Sequence, residues 1–181
     1  MRQKIIVIIG IISFPLFLHG QNSENIFLIE SDKKVSSWIV GESVDNLMTK
    51  LPENWRVEID SLDMCEGCFD YYKVYNIFFQ NEYLLKIEPD WETRQLYRFW
   101  IGSKKFKTEK GFQIGMTVKR LKELYTIEEV YTAGDIGIAV IVEELNGSFI
   151  INPYSYKGDF YKLTKENLPD NLKIEEIIIV E

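Results

Sequence analysis

Apolar residues along this chain gather in short runs, alternate with polar ones at Trp55–Asp60, and take helical spacing in two short places. Val44, Leu47, Met48 and Leu51 stand at i, i+3, i+4 and i+7, which makes one apolar stripe of a helix. Val118, Leu121, Leu124 and Tyr125 make a second such stripe. A glycine turn and a hydroxyl residue placed to cap the helix precede each stripe: Gly41-Glu42-Ser43 and Gly115-Met116-Thr117. The two glycines are 74 positions apart, and Val40, Val44 and Leu47 match Ile114, Val118 and Leu121. Pro52 stops the first helix, because its ring cannot continue one.

Runs rich in aliphatic and aromatic residues, with strict alternation at Trp55–Asp60, predict strands at Ile26–Ile29, Trp55–Asp60, Tyr71–Phe79, Tyr83–Ile87 and Gln95–Ile101. After the second helix they predict strands at Glu128–Tyr131, Ile136–Val142, Phe149–Pro153 and Ile174–Val180. The polar runs Ser31–Ser37 and Gly102–Lys110 read as loops, and Tyr154–Leu172 as a polar insertion. Gln80-Asn81-Glu82 and Asn146-Gly147 are the hairpin turns, the second carrying the residue pair that best tolerates positive φ. Strands joined by short turns form antiparallel sheets, with the helix on one face. The expected fold is therefore α+β: two tandem helix-plus-antiparallel-sheet repeats packed together, residues 21–101 and 102–181. Asn81 and Asn146 are only 65 apart, so the first repeat carries nine extra residues, matched by an insertion at 60–68.

The start of the chain reads differently. A basic Met1-Arg2-Gln3-Lys4, the apolar run Ile5–Leu18 and the small Gly20 have the layout of a secretory signal peptide over residues 1–20. At 14 residues the apolar run is short for a membrane span. No cysteine follows it to take a lipid, so no membrane anchor is expected after cleavage, and the location is periplasmic or secreted. Removing Arg2 and Lys4 leaves 19 basic against 28 acidic residues, a net charge of −9. That sign disfavours nucleic acid and anionic membranes, and favours solubility or a protein partner of basic character. The one histidine, His19, lies in the signal. The exported chain then lacks the commonest general base and transition-metal ligand, which excludes a histidine-activated serine or cysteine nucleophile.

Both cysteines sit in the insertion, as Cys65-Glu66-Gly67-Cys68. In an oxidising compartment a structural disulfide is the default. Closing so short a loop contributes about 2 kcal/mol, enough to pin the insertion. Asp60, Asp63, Glu66 and Asp70 surround the pair and would raise the thiol pKa, against what redox catalysis requires. Two cysteines cannot complete a zinc site, and the acidic spacing does not match a calcium loop. No catalytic residue, metal site or cofactor is assigned. The hairpin that follows is dense in aromatics, and alternation puts Tyr72 and Phe78 on the face opposite Tyr71, Tyr75 and Phe79. Exposed aromatics are enriched at binding hot spots, so Tyr72 and Phe78, with Asp63 and Glu66 of the insertion, are the candidate partner contacts.

The segments Ile39-Val40-Gly41-Glu42-Ser43-Val44 with Leu47, and Gln113-Ile114-Gly115-Met116-Thr117-Val118 with Leu121, resemble the helix starts of the β-lactamase-inhibitor-protein-like fold. The single unit is similar to that of the SmpA/OmlA outer-membrane assembly lipoproteins. That resemblance implies a duplicated helix-and-strand fold and a role in binding proteins rather than in catalysis. The chain departs from the lipoproteins in having no lipidation cysteine. The leading expectation is an exported, non-enzymatic protein-binding module of inhibitor or envelope-assembly type. The alternatives are a periplasmic thiol-disulfide protein using Cys65 and Cys68, and a hydrolase using paired carboxylates.

Overall fold

The computed structural model describes residues 27–63 and 71–180. In chain order its elements are β1 (Leu28–Glu30), β2 (Lys34–Val35), β3 (Trp38–Ile39), α1 (Val44–Thr49), β4 (Trp55–Asp63), β5 (Tyr71–Phe79), β6 (Glu82–Pro89) and β7 (Leu96–Ile101). There follow β8 (Lys107–Thr108), α2 (Val118–Leu124), β9 (Ile127–Thr132), β10 (Ile138–Val142), β11 (Gly147–Ile151) and β12 (Glu176–Val180). Eight strands make one sheet, ordered β4-β5-β6-β7-β12-β11-β10-β9, every neighbour antiparallel. Its centre is the pairing of β7 with β12, where Ile101 faces Ile177 and Phe99 faces Ile179.

A smaller sheet, ordered β3-β2-β1-β8, packs on one face of the large one. Its tight turns use Lys33 and Ser36 at positive φ. Aromatic rings join the layers: Trp38 stacks on Phe99 at 6.2 Å and meets Trp55 edge-to-face at 5.4 Å. Val44 and Leu47 of α1 and Val118 and Leu121 of α2 enter the same core as Phe99, Ile101, Ile177 and Ile179. The inner face of the large sheet is thus covered by two helices and the small sheet. Burying one large apolar side chain there contributes roughly 1.5–3 kcal/mol.

The duplicated glycine motifs act as straps. Gly41 and Gly115 both take left-handed φ, +93° and +91°. Gly41 N–H donates to Leu96 O at 2.7 Å, and Leu96 N–H returns to Glu42 O at 2.7 Å. Gly115 N–H donates to Ile174 O at 2.8 Å, and Ile174 N–H returns to Met116 O at 3.0 Å. Each helix is thereby tied to the chain entering a central strand, β7 or β12. Thr117 caps α2 by accepting from Arg120 N–H, whereas Ser43 makes no side-chain cap on α1.

The structure corrects the expected fold class. Among the described residues the fold is mostly β, with a continuous eight-stranded sheet and two α-helices of six and seven residues, rather than an α+β pair of packed helix-plus-sheet repeats. Helices this short have little stability of their own, and strands supply the frame. Segments read as loops hold β2 and β8, which at two residues each are too short for alternation to register. The Tyr154–Leu172 stretch is polar only on average, since Leu163, Leu168 and Leu172 are buried in the main core. β4 runs on to Asp63, so Asp60–Asp63 belong to a strand and not to an insertion loop. Residues 1–26, including the expected signal, and Cys65, Glu66 and Cys68 lie outside the described residues. No helix among the described residues is long and apolar enough to cross a membrane.

The Asn146-Gly147 pair also differs from expectation. Gln80 and Asn81 do form a two-residue turn at positive φ, but Gly147 is the first residue of β11 with no positive φ. Its glycine is required for a different reason: a Cβ there would lie 2.0 Å from Ile178 O on β12. Gly147→Ala is therefore expected to cost about 3 kcal/mol through overpacking. Gly41→Ala, where a Cβ meets open space, should cost only about 1 kcal/mol from its left-handed φ. Thermal unfolding of the two variants checks this ranking, and equal losses would contradict it.

Candidate functional site

Among the described residues, the outer face of the large sheet has no covering layer. Its apolar patch is small: Ala139, Ile150 and Ile178, with Trp100 and Ala133 against them. Around it run polar and aromatic side chains from β5, β6, β7 and β12.

Glu88 on β6 is the organising group on this face. It is 5% exposed. Oε2 accepts from Arg98 Nε at 2.7 Å and from the Trp100 indole at 2.6 Å. Oε1 accepts from Arg98 Nη2 at 2.8 Å and the Tyr72 hydroxyl at 3.0 Å. These contacts follow from register: Glu88 lies opposite Arg98 across β6–β7, and Trp100 follows two residues on. Burial pushes the Glu88 carboxyl up, but Arg98, Trp100 and Tyr72 outweigh it and hold its pKa below the ordinary range. The Arg98 guanidinium also lies 4.8 Å over the Trp100 ring, with Lys86 Nζ 4.5 Å from the same ring.

Beside this network an open groove of about 890 Å³ crosses β6, β7, β12 and β11. Its floor includes Trp100, Glu175 and Glu176, and its rim Tyr83, Tyr154 and Tyr161. The Gly134–Ile136 and Phe160–Lys162 turns wall its far end. Tyr154 is 94% exposed and Tyr161 77%, high values for aromatics. Asn152 seats the Tyr154 turn by accepting from Tyr154 N–H at 2.9 Å. Burial and the charge of Glu176 push the Tyr83 phenol up to about 12, so it remains a donor. Burial likewise raises the Glu176 pKa, with Lys86 opposing and Glu175 reinforcing. A second hollow, about 480 Å³, lies past Glu88 between Tyr72, Tyr97 and the exposed Trp91.

Of the residues singled out from sequence, Tyr72 and Phe78 do share this outer face. Each is half-buried and already engaged: Tyr72 with Glu88, Phe78 edge-to-face with Tyr83 at 5.7 Å and under the Arg56 guanidinium at 4.4 Å. Asp63 ends β4 opposite Tyr71, away from the groove residues in register. Glu66, Cys65 and Cys68 fall outside the described residues. Trp100, Tyr154, Tyr161, Glu175, Glu176, Glu88 and Arg98 were not anticipated. A signal existed for two of them: Arg98 and Trp100 stand two apart in a predicted strand, hence on one face. Among the described residues no group of three or more His, Cys, Asp or Glu could hold a metal ion.

The fold and this face define a mostly-β scaffold with one covered and one open side. No protein-family model matches the sequence, and no curated protein matches it. Among solved structures, the uncharacterized protein yfeY from Escherichia coli is similar, with a TM-score of 0.55 at 12% identity, over 84% of this chain and 99% of that one. At that identity the likeness concerns the fold alone.

The two buried acids should affect stability with opposite sign. The Glu88 pKa is lowered on folding, so its contribution is present above the ordinary carboxylate range and lost as pH falls through the folded value. The Glu176 pKa is raised, so its ionised form opposes folding at neutral pH and the penalty lifts on acidification. Glu88→Gln is expected to lose about 2–3 kcal/mol at pH 7. Glu176→Gln should gain stability there. Denaturant unfolding from pH 7 to 4 tests both, and a destabilised Glu176→Gln would contradict the reading.

Proposed function

We propose that this protein is an exported, non-enzymatic binding protein whose open sheet face docks a protein partner. The observation that carries the reading is the aromatic-rimmed groove, with Tyr154 and Tyr161 standing in solvent at its edge. Tyrosine supplies a large, rigid, amphipathic contact at low entropic cost, and gains most when a partner removes it from water. The predicted signal at 1–20 supports export. The resemblance of the two glycine motifs to families that bind proteins supports binding over catalysis. Tyr72 and Phe78 then flank the contact surface. The rim residues Tyr154 and Tyr161 are exposed and stand outside the core, so they can be altered without unfolding the chain.

A Tyr154→Ala/Tyr161→Ala double variant is expected to keep the parent melting temperature. It should lose at least about tenfold in affinity for the partner captured by the parent protein from exported fractions. Capture followed by calorimetry against the purified partner measures this. Unchanged affinity in the double variant would sink the assignment of the groove.

A further inference from the structure

Resting on that reading of the groove, we infer that what it recognises is a cationic side chain, lysine or arginine, on a segment of the partner.

The lining is chemically one-sided. Glu175 and Glu176 lie within it, and among the described residues no lysine or arginine lines it. Tyr83, Tyr154, Phe160 and Tyr161 surround the carboxylates, and aromatic faces attract cations that have shed water. A lysine or arginine carries an aliphatic stem as well as a charge. Ile136, Ile150 and Pro153 give that stem an apolar wall.

The second argument is the contrast between two acids on one face. Glu88 is fully served by Arg98, Trp100 and Tyr72. Glu176 is half-buried, and among the described residues its carboxylate has no hydrogen-bond or ion-pair partner. Burial raises its pKa, which marks a carboxylate lacking compensation. Glu175 has one neutral donor, Asn152 Nδ2 at 3.2 Å. The sheet therefore pairs one acid internally and leaves the next open toward a cavity. A cation entering from a partner would supply the missing charge.

Lys86 gives the inference a distinctive consequence. Its ammonium lies over Trp100, outside the groove lining, and its charge partly offsets that of Glu176. It is a standing competitor. Removing its charge should strengthen the capture of an external cation, an effect that a merely structural lysine would not produce.

The test uses four hexapeptides of one sequence that carry lysine, arginine, glutamine or glutamate between two leucines. Each is titrated into the isotope-labelled protein while the Trp100 indole and the Gly102 and Gly134 amides are followed. The lysine and arginine peptides should shift these signals and bind at least about tenfold more tightly than the glutamine peptide, and the glutamate peptide should not bind. Glu176→Gln, expected to be the more stable fold, should erase that preference. Lys86→Met should tighten lysine-peptide binding. If all four peptides bind the groove equally, the groove reading stands and the charge inference falls. If none moves the groove signals, both fall. A concentration-dependent dimer that shifts the same signals without peptide overturns the inference and assigns the groove to a second copy of the chain.

Discussion

Everything else in this molecule depends on the antiparallel pairing of β7 with β12. Those two strands, of six and five residues, join the first four strands of the large sheet to the last four. On the inner side their pairing sets Phe99 and Ile101 against Ile177 and Ile179, all with no exposed surface. On the outer side the same register sets Trp100 against Ile178, the centre of the open face. One ladder thus positions the core and the groove floor together, because successive side chains alternate across a sheet. The glycine straps reinforce it from both ends, since each clamps a helix to the chain feeding one of the two strands. Their left-handed glycines are a local cost accepted for a long-range tie.

The inner layer shows how far packing dominates over polar satisfaction here. Trp38 has no exposed surface, and its indole N–H has no hydrogen-bond partner among the described residues. A buried donor left unpaired costs about 1–3 kcal/mol. Its ring stacks on Phe99 and meets Trp55 edge-to-face, and such aromatic pairs add about 0.5–1.5 kcal/mol each beyond area burial. The ring thereby bridges the small sheet and the large one. The outer face follows the opposite rule. Glu88 meets four donors, and the acid that is not so served, Glu176, sits at a cavity.

What the sequence made legible was periodicity. Tyr71–Phe79 is a strand with the anticipated ends, and the Tyr72/Phe78 and Tyr75/Phe79 parity holds, the latter pair packing into the core. The straps were visible as a repeat because glycine, hydroxyl and aliphatic positions all recur. The fold class was not legible, because the two helical stripes carry few residues and weigh more in a pattern than in the structure. β2, β3 and β8 are two-residue strands, defined by their partners and not by their own alternation: β2 and β3 by each other and β1, and β8 by β1, far back along the chain. The groove was hidden for a related reason. Trp100, Ile150, Tyr161 and Glu176 come from four separated stretches, and no local pattern announces that β12 lands beside β7. Tyr72 and Phe78, on one face of one strand, could be read as a surface because a single local pattern holds both.

The division between the two faces has a consequence for how this scaffold can carry function. A likeness of fold at 12% identity requires only that the inner face remain apolar and that the central ladder form. It places no demand on Glu175, Glu176, Tyr154 or Tyr161, whose contributions to the core are small. Trp100 is the exception, since it sits on the ladder itself and also lines the groove. Changes at the rim should therefore cost folding little, while changes at Trp100 perturb the ladder and the groove together. Under the proposed binding role, specificity would belong at the rim and at the unpaired acid, apart from the paired acid Glu88 that is tied into the sheet by Arg98, Trp100 and Tyr72.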